Sequence, residues 1–286
     1  MVKRNAQCIL WINQFLLIVW IISSSQSALS APKKLLLKEW QAHNASSITQ
    51  VDHSLWQQAL ERYVVEKNKQ TYVNYTALQE KIRLKDDALV EDYIHYLMSL
   101  NPLKLTRKEQ KAYWLNLYNA ATVQLIVKHY PVTSITKVGG GLFRFGPWGD
   151  DMLTVNGKSL SLNDIEHGIL RPIYDDPRIH YAVNCASFSC PNLSTVAFTA
   201  NNTEFLLEQA ARNYINHPRA VMIAQQQVVL STIYDWYQED FGGTTEGVIA
   251  HIRRYAGDDL TMKLNGLRTP VFNYVYDWTL NDWPSQ

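Results

Sequence analysis

The chain has 286 residues, of which 47% are apolar, so it is long enough to bury a sizeable core in one or two domains. Its 27 basic and 26 acidic side chains give a formal net charge of +1. This balance lacks the basic excess typical of proteins that bind nucleic acid or an anionic membrane, so neither partner is expected.

The N-terminus carries the features of a secretory signal peptide. Lys3 and Arg4 precede a mostly apolar stretch over residues 9–22, and the small residues SSSQSALSA follow it. The apolar stretch is shorter than the roughly 20 residues that a membrane span needs. We therefore expect a signal peptide over residues 1–30, export to the periplasm or the cell exterior, and a single globular domain over residues 31–286 without a membrane span.

Helical spacing of apolar residues dominates the first half of the mature chain. It predicts helix over residues 33–67, then a short extended piece, TYVNY, and a further helical stretch that ends near Leu100. Thr106 and Glu109 form a T-x-x-E capping box at the start of the strongest predicted helix, which runs to Pro131. Because this helix is apolar nearly all round, we expect it to be buried.

Short strands become frequent in the second half. The dipeptide Asn156-Gly157 suits the tight turn of a hairpin in MLTVNGKSLSL, and Asn163 with Glu166 predicts the capped start of the next helix. An extended run over residues 179–185, a second hairpin in AVMIAQQQVVLS and a strand in VFNYVYDW follow. These elements predict an α+β fold in which a helical N-terminal half packs on a small, mainly antiparallel sheet.

The sequence lacks the familiar motifs of nucleotide and metal sites. Residues 139–149, GGGLFRFGPWG, are rich in glycine but lack the Lys-Ser/Thr ending of a phosphate-binding loop. There is no G-x-S-x-G nucleophile motif, no H-E-x-x-H zinc motif and no EF-hand loop. We therefore predict neither a cofactor nor a bound metal.

Five segments resemble, in order and wording, the domain-of-unknown-function family numbered 547. They are YWLNLYNA, LNDIEHGILR, HYAVNCASFSCP, YDWYQEDF and YVYDWTLN, and they span roughly residues 104–282. The resemblance implies an exported bacterial protein but no activity, because the family is named for lacking an assigned function. Carried over position by position, the family's recurrent polar residues are Asn116, Asn119, Glu166, His167, Arg171, Cys185 and Asp277.

Two cysteines, Cys185 and Cys190, remain once the predicted signal peptide is removed together with Cys8. Three interpretations of the pair are open. In an oxidising compartment it can form a disulfide across the loop CASFSCP. With a nearby histidine it can bind zinc, although C-x4-C is looser than the usual two-cysteine spacing. In the third interpretation, Cys185 is a nucleophile and the amides of its loop form an oxyanion hole.

A cysteine nucleophile needs a base, and His167 is the better candidate. On the predicted helix that begins at Asn163, it points away from the core side and towards a cleft. His180 lies on the predicted extended run, about 16 Å from Cys185 and on the opposite face, so we expect a half-buried strand residue. Glu166 is one candidate third member of a triad, with Asp277 and Asn184 as rivals, although its capping-box position offers a purely structural alternative.

Four further polar residues are predicted to contact a substrate: Asn116, Asn119, Arg171 and Asp277. The two asparagines lie three residues apart on the buried helix, so they either tie loops to it or face a cleft. Arg171 either clamps a substrate carboxylate or pairs with Asp175 or Asp176.

The leading functional hypothesis is an exported thiol-dependent acyl hydrolase or transferase of the papain or transglutaminase type. In it, Cys185 attacks an amide or ester carbonyl, and His167 takes the thiol proton and returns it to the leaving group. The alternative is a non-enzymatic cell-envelope binding module with a Cys185–Cys190 disulfide. Its aromatic cleft, with Trp236 and Trp278 as candidate walls, would bind a peptide, a glycan or an envelope protein.

Overall fold

The structure is a computed structural model that describes residues 32–139 and 146–283. Residues 31–286 form one compact unit. The predicted signal peptide lies outside the described residues. Within those residues, no helix has both the length and the apolar composition that crossing a membrane requires.

The N-terminal third is a set of short helices around one hairpin. Helix α1 (Ser54–Tyr63) leads into strands β1 (Val64–Lys67) and β2 (Gln70–Val73), and helices α2 (Tyr75–Arg83) and α3 (Leu89–Ser99) follow. The helix predicted over 33–67 is therefore too long at both ends, because residues 33–53 contain only a 3-10 helix (Lys38–Trp40). Its end is an antiparallel strand, because Val64 and Val65 are β-branched and pair with Val73 and Tyr72 across the hairpin.

Helix α4 (Arg107–His129) is the central element of this half and is buried along most of its length, as the sequence predicts. Thr106 caps its start, because the threonine side chain accepts a hydrogen bond from the amide of Glu109. The reciprocal half of the capping box is absent, since the Glu109 carboxylate accepts the amide of Val51 instead. Helices α2 and α3 pack against α4.

The next segment contains a confirmed hairpin and an unexpected helix type. Strands β3 (Leu153–Val155) and β4 (Lys158–Leu160) are antiparallel, and Asn156-Gly157 turns between them with φ of 48° and 75°. A π-helix (Asp164–Leu170) follows and continues directly into helix α5 (Arg171–Tyr174). Because a π-helix bonds each amide to the carbonyl five residues earlier, its turns are wider than those of an α-helix.

The predicted capping box at the start of this π-helix is wrong. Asn163 makes no side-chain cap, and the carboxylate of Asp164 instead accepts the amide and the hydroxyl of Ser161. Glu166 is buried. The carbonyls of His167 and Gly168 are bound by the amides of Leu35 and Leu37, at 3.0 and 2.9 Å, so the N-terminal segment lies along this helix.

The C-terminal half builds a three-stranded sheet. Helix α6 (Thr203–Ile215) precedes strands β5 (Val221–Ala224) and β6 (Gln227–Ser231), helices α7 (Ile233–Trp236), α8 (Thr245–Tyr255) and α9 (Asp258–Asn265), and strand β7 (Val271–Val275). The strand order is β5-β6-β7, antiparallel in the first pair and parallel in the second. The α+β prediction is confirmed, and three of the four strand pairs are antiparallel.

Two hydrophobic cores form in the described part of the chain. The first surrounds α4 and includes Ala182, Ala186 and Leu193, whereas the second lies under the C-terminal sheet and includes Tyr181 and Tyr214. The segment between residues 182 and 192, here called the cysteine loop, therefore runs along the junction of the two cores.

Candidate functional site

The centre of the candidate site is a pair of thiols in direct contact. Cys185 and Cys190 are both free, so the disulfide of the binding-module hypothesis is not formed in this structure. The sulfurs of Cys185 and Cys190 are in hydrogen-bond contact at 2.9 Å, and the amide of Cys185 donates to the Cys190 sulfur, also at 2.9 Å. Cys190 is buried and Cys185 is half-buried.

Two hydroxyl groups complete the surroundings of the Cys185 sulfur. The Oγ of Ser187 lies 3.2 Å from it and the phenol oxygen of Tyr276 lies 3.1 Å from it. These two oxygens are themselves 2.8 Å apart. Tyr276 follows the end of strand β7, so the C-terminal sheet brings a phenol to a sulfur that is 91 residues earlier in the sequence.

The environment separates the acidities of the two thiols. Burial by itself raises the pKa of Cys185, but hydrogen bonds from Cys190, Ser187 and Tyr276 outweigh it and lower that pKa. Burial and the hydrogen bond shared with Cys185 raise the pKa of Cys190 well above its ordinary value. The half-buried sulfur is thus the one that ionises first, and the thiolate is the nucleophilic form of cysteine.

Asparagine side chains hold the cysteine loop in place. Asn119 on helix α4 donates to the carbonyl of Ala182 at 2.9 Å and accepts the amide of Asn184 at 2.8 Å. Asn184 accepts the amide of Ala186, which has a φ of 60°, in the left-handed region. Asn281 donates to the Asn184 side chain at 3.3 Å, and its amide bonds the carbonyl of Ala186. The loop shape is therefore set by buried amide groups.

The predicted oxyanion hole is not supported by the backbone of this loop. Eight of its amides donate to protein acceptors, namely those of residues 182, 183, 184, 185, 186, 188, 189 and 190. The acceptors include the carbonyls of Thr279 and Asp277, which belong to the segment after β7. Most of the donors on which the prediction depended are therefore already used in fixing the loop.

His167 lies in a second group of polar residues and not on the thiol. It is buried, its Nδ1 accepts a hydrogen bond from Arg171 at 3.1 Å, and its ring centroid is 5.7 Å from that of Tyr237. Burial lowers the pKa of His167 to about 4, so the ring is neutral at pH 7. Because Nδ1 accepts, the proton resides on Nε2. In the described residues, no hydrogen bond or ion pair joins His167 to Cys185.

His180 is buried and has polar and aromatic partners, whereas the sequence predicts a half-buried strand residue. The predicted strand is a 3-10 helix (Pro177–Tyr181), so the argument that placed His180 on a far face fails. Its Nε2 lies 2.7 Å from Asp240, its Nδ1 lies 3.6 Å from Glu166, and its ring stacks on Tyr237 at 4.3 Å. Each of its ring nitrogens therefore faces a carboxylate.

Arg171 is a buried cation beside these histidines and pairs with acidic side chains. It is buried and bonds Asp240 at 2.6 Å and Glu239 at 2.7 Å, and not the predicted Asp175 or Asp176. Its guanidinium also lies over the ring of Tyr237, at 4.8 Å. A residue so fully paired is not free to clamp a substrate carboxylate. We call the residues of this group the ionic cluster: Glu166, His167, Arg171, His180 and Asp240.

The carboxylates of the ionic cluster stay ionised. Burial by itself raises the pKa of Glu166, but the charges of His167 and Arg171 and a hydrogen bond from His180 lower it to about 2. Bonds from His180 and Arg171 likewise outweigh burial and lower the pKa of Asp240. Glu166 is closer to His180 than to His167, from whose Nδ1 it is 4.0 Å away.

Two buried phenols are influenced by charges of both the thiols and the ionic cluster. Burial, and then the negative charges of Glu166 and Cys185, raise the pKa of Tyr118 well above its ordinary value. Burial raises the pKa of Tyr237 in the same direction, and Glu166 and Cys185 again add to the rise. The negative charges of Glu166 and Cys185 therefore both act on the phenols of Tyr118 and Tyr237.

An aromatic cluster adjoins the thiol. Tyr276, which contacts Cys185, lies 4.5 Å from Trp278 and 4.8 Å from Trp236, measured between ring centroids. Trp148 extends the group, 5.5 Å from Trp278. All four rings are half-buried. Trp236 and Trp278 therefore lie together beside Tyr276, the phenol that contacts the sulfur, and their role as a ligand wall stays a prediction.

The other two predicted substrate contacts have structural partners. Asn116 donates to the carbonyl of Phe198 at 2.7 Å and accepts its amide at 3.0 Å, so it ties a loop to α4. Asp277 is exposed, and its carboxylate accepts the amide of Thr279 at 2.8 Å. Sequence reasoning missed Ser187, Tyr276, Tyr237 and Asp240 as partners.

In the part of the chain that the structure describes, no three His, Cys, Asp or Glu side chains are arranged to hold a metal ion. The zinc interpretation of the cysteine pair therefore has no support from residues 32–139 and 146–283.

The comparisons with known proteins give a family without a function. Residues 102–215 match the model of a family described as "Protein of unknown function, DUF547". The matched region includes three of the five segments noted above, among them the one with both cysteines, and not the two segments after α6. No curated protein and no solved structure matches the chain.

Removing the amide of Asn119 is expected to destabilise the cysteine loop. Asn119→Ala leaves the Ala182 carbonyl and the Asn184 amide buried without partners, which costs about 2–4 kcal/mol in the free energy of unfolding. Urea denaturation measures this cost. Asn273→Ala, at an exposed position of β7, is the control and changes stability by less than about 0.5 kcal/mol. Equal effects of the two substitutions would show that Asn119 does not hold the loop.

The buried neutral ring of His167 predicts a pH dependence of stability. Its folded pKa of about 4 is below the unfolded value of about 6.5, so only the unfolded chain takes up a proton between these values. The contribution is fully present above about pH 6.5 and is lost as the pH falls towards 4. His167→Gln should therefore flatten the slope of unfolding free energy against pH in this window, by up to about 1.4 kcal/mol per pH unit. Identical slopes in both proteins would contradict the assignment.

Proposed function

Residues 102–215 match the DUF547 family of proteins of unknown function, and from the geometry of the cysteine loop we propose that the protein is a thiol–disulfide oxidoreductase. Cys185 is the attacking thiolate and Cys190 is the resolving thiol. The observation that carries the proposal is the 2.9 Å hydrogen-bond contact between the Cys185 and Cys190 sulfurs. It places the two sulfurs within reach of each other and lowers the pKa of the more accessible one.

The reaction takes two steps. The Cys185 thiolate attacks one sulfur of a substrate disulfide, forms a mixed disulfide with it and releases the other sulfur as a thiolate. Cys190 then attacks the Cys185 sulfur, the bond to the substrate breaks, and the substrate leaves as a thiol with the proton from Cys190. The substrate disulfide is reduced by two electrons and the protein is oxidised to a Cys185–Cys190 disulfide. A thiol reductant from outside returns the protein to its reduced state.

The two acidities suit these two steps. In the resting protein, burial and the contact with Cys185 keep Cys190 protonated. Once Cys185 is part of a mixed disulfide, its negative charge is gone and one of the causes that raise the pKa of Cys190 disappears. Deprotonation of Cys190 therefore becomes easier when its attack is needed.

The surroundings favour a polypeptide substrate in an oxidising compartment. The half-buried rings of Trp236 and Trp278 offer apolar surface beside the sulfur, which suits a disulfide on an incompletely folded chain. The features of residues 1–30 support export, and disulfides persist in exported proteins.

Acyl transfer by Cys185 is the second candidate. It is favoured by a series of ring contacts that joins the ionic cluster to the thiol. Tyr237 stacks on His180, Trp236 contacts both Tyr237 and Tyr276, and Tyr276 contacts Cys185. The hydrogen bond from Arg171 leaves His167 with a proton on Nε2, so His167 would begin as a donor to the leaving group and not as the base.

Stoichiometric reaction with a chromogenic disulfide tests the proposal. With Cys8→Ser as the parent protein, 2,2′-dithiodipyridine at about pH 5 should release two equivalents of thiopyridone, one from each step. The Cys190→Ser variant should release one equivalent of thiopyridone. The other thiopyridyl group of the reagent should stay bound to Cys185 as a mixed disulfide. Cys185→Ser should react at least about 100-fold more slowly, because only the buried thiol of higher pKa remains.

The same variants separate the competing functions. Acyl transfer predicts that 4-nitrophenyl acetate hydrolysis is lost in Cys185→Ser and His167→Gln but retained in Cys190→Ser. Disulfide exchange predicts that turnover of a disulfide in the presence of a reductant needs both cysteines. It also predicts that the His167→Gln variant retains this turnover. A parent protein that reacts with neither reagent when reduced would contradict both catalytic proposals and favour the binding module.

A further inference from the structure

A groove lies along one face of helix α6. Its volume is about 580 Å³, and the loop over residues 192–198, which begins in the cysteine loop, forms much of its other wall. None of the partners of Cys185 described above lines it. We propose that this groove is a binding site for a neutral oligosaccharide, a role that goes beyond the proposed thiol chemistry.

Helix periodicity creates the first wall. Phe205, Gln209 and Asn213 are spaced by four residues, so they form one row along α6, while Leu206 and Ala210 form the neighbouring row. The first row is exposed and the second is more buried. Over these residues the helix rises about 12 Å, so the row is long enough to follow an extended ligand.

The chemistry of the first row matches a sugar. Phe205 is 66% exposed, and an exposed ring at the rim of a groove offers a flat face to the C–H side of a pyranose. The amides of Gln209 and Asn213 are exposed, and each carries both a donor and an acceptor. A sugar hydroxyl also both donates and accepts, so one amide can serve two neighbouring hydroxyl groups.

The charge of the groove excludes anionic ligands. Glu66 is the only charged side chain among the described residues that line it, and neither lysine nor arginine is present there. A phosphorylated or carboxylated ligand would therefore find no counter-charge. The ligand that remains is neutral and rich in hydroxyl groups.

The opposite wall disfavours an extended peptide. Peptides in grooves are commonly held through an open strand edge of alternating amides and carbonyls. Here the loop groups are engaged within the protein. Ser194 bonds both the amide and the carbonyl of Val196, while Gln57 bonds the carbonyl of Thr195 and the amide of Ala197. Recognition therefore has to come from side chains and from the ring.

Calorimetric titration with three neutral tetrasaccharides, cellotetraose, maltotetraose and chitotetraose, tests the site. At least one should bind the purified protein with a dissociation constant of about 1 mM or tighter. Phe205→Ala should weaken that binding at least about fivefold, because the stacking surface is lost. Gln209→Ala should weaken it as well. Lys263→Ala, an exposed substitution on helix α9 that does not line the groove, is the control and should leave binding unchanged.

The contrary results are equally specific. No binding of any of the three sugars at up to about 10 mM overturns the proposal. So does binding that survives Phe205→Ala in a protein with an unchanged circular dichroism spectrum, because the sugar then sits elsewhere. Binding of a neutral tetra-alanine peptide in place of the sugars, with the same loss in Phe205→Ala, makes the groove a peptide site and also overturns it.

Discussion

The hydrogen bond between the Cys190 thiol and the Cys185 sulfur is the contact from which the chemistry of this protein follows. A thiol in a closed protein environment resists ionisation, because burial disfavours the charged form. At Cys185, three donors outweigh that cost, and one of them is the thiol that can later displace a bound substrate. The same contact therefore lowers the pKa of Cys185, helps to keep the Cys190 thiol protonated and sets the distance between the two sulfurs.

That contact exists only because distant parts of the chain converge on one loop. Asn119 reaches it from the long buried helix, and Asn281 and Tyr276 reach it from the C-terminal segment. The loop lies where the two hydrophobic cores meet, so both halves of the protein fix its shape. The ionic cluster is held in a similar way, because Arg171 joins the π-helix to Asp240 and His180 stacks on Tyr237. Loss of one half is expected to disorganise both groups.

The sequence predicts the features that depend on local pattern. The buried helix α4, the Asn156-Gly157 hairpin and the α+β class are all confirmed, because each follows from short-range periodicity or turn chemistry. Cys185 could be identified as the centre of a site, but its partner Tyr276 is 91 residues away and no pattern connects them. The face assigned to His167 assumed an α-helix, and a π-helix turns its side chains by a different angle. His180 was set aside on the assumption of a strand, where tertiary contacts instead form a helical turn.

The central claim is most directly tested by titrating the Cys185 thiolate through its ultraviolet absorbance, in the Cys8→Ser protein and in variants of the two thiol partners. The account predicts that Cys185 ionises below the ordinary cysteine pKa of about 8.5. It also predicts that Tyr276→Phe and Cys190→Ala each move the transition upwards, since each removes a donor to the thiolate. A Cys185 that ionises at or above the ordinary value, and whose titration neither substitution changes, would contradict it.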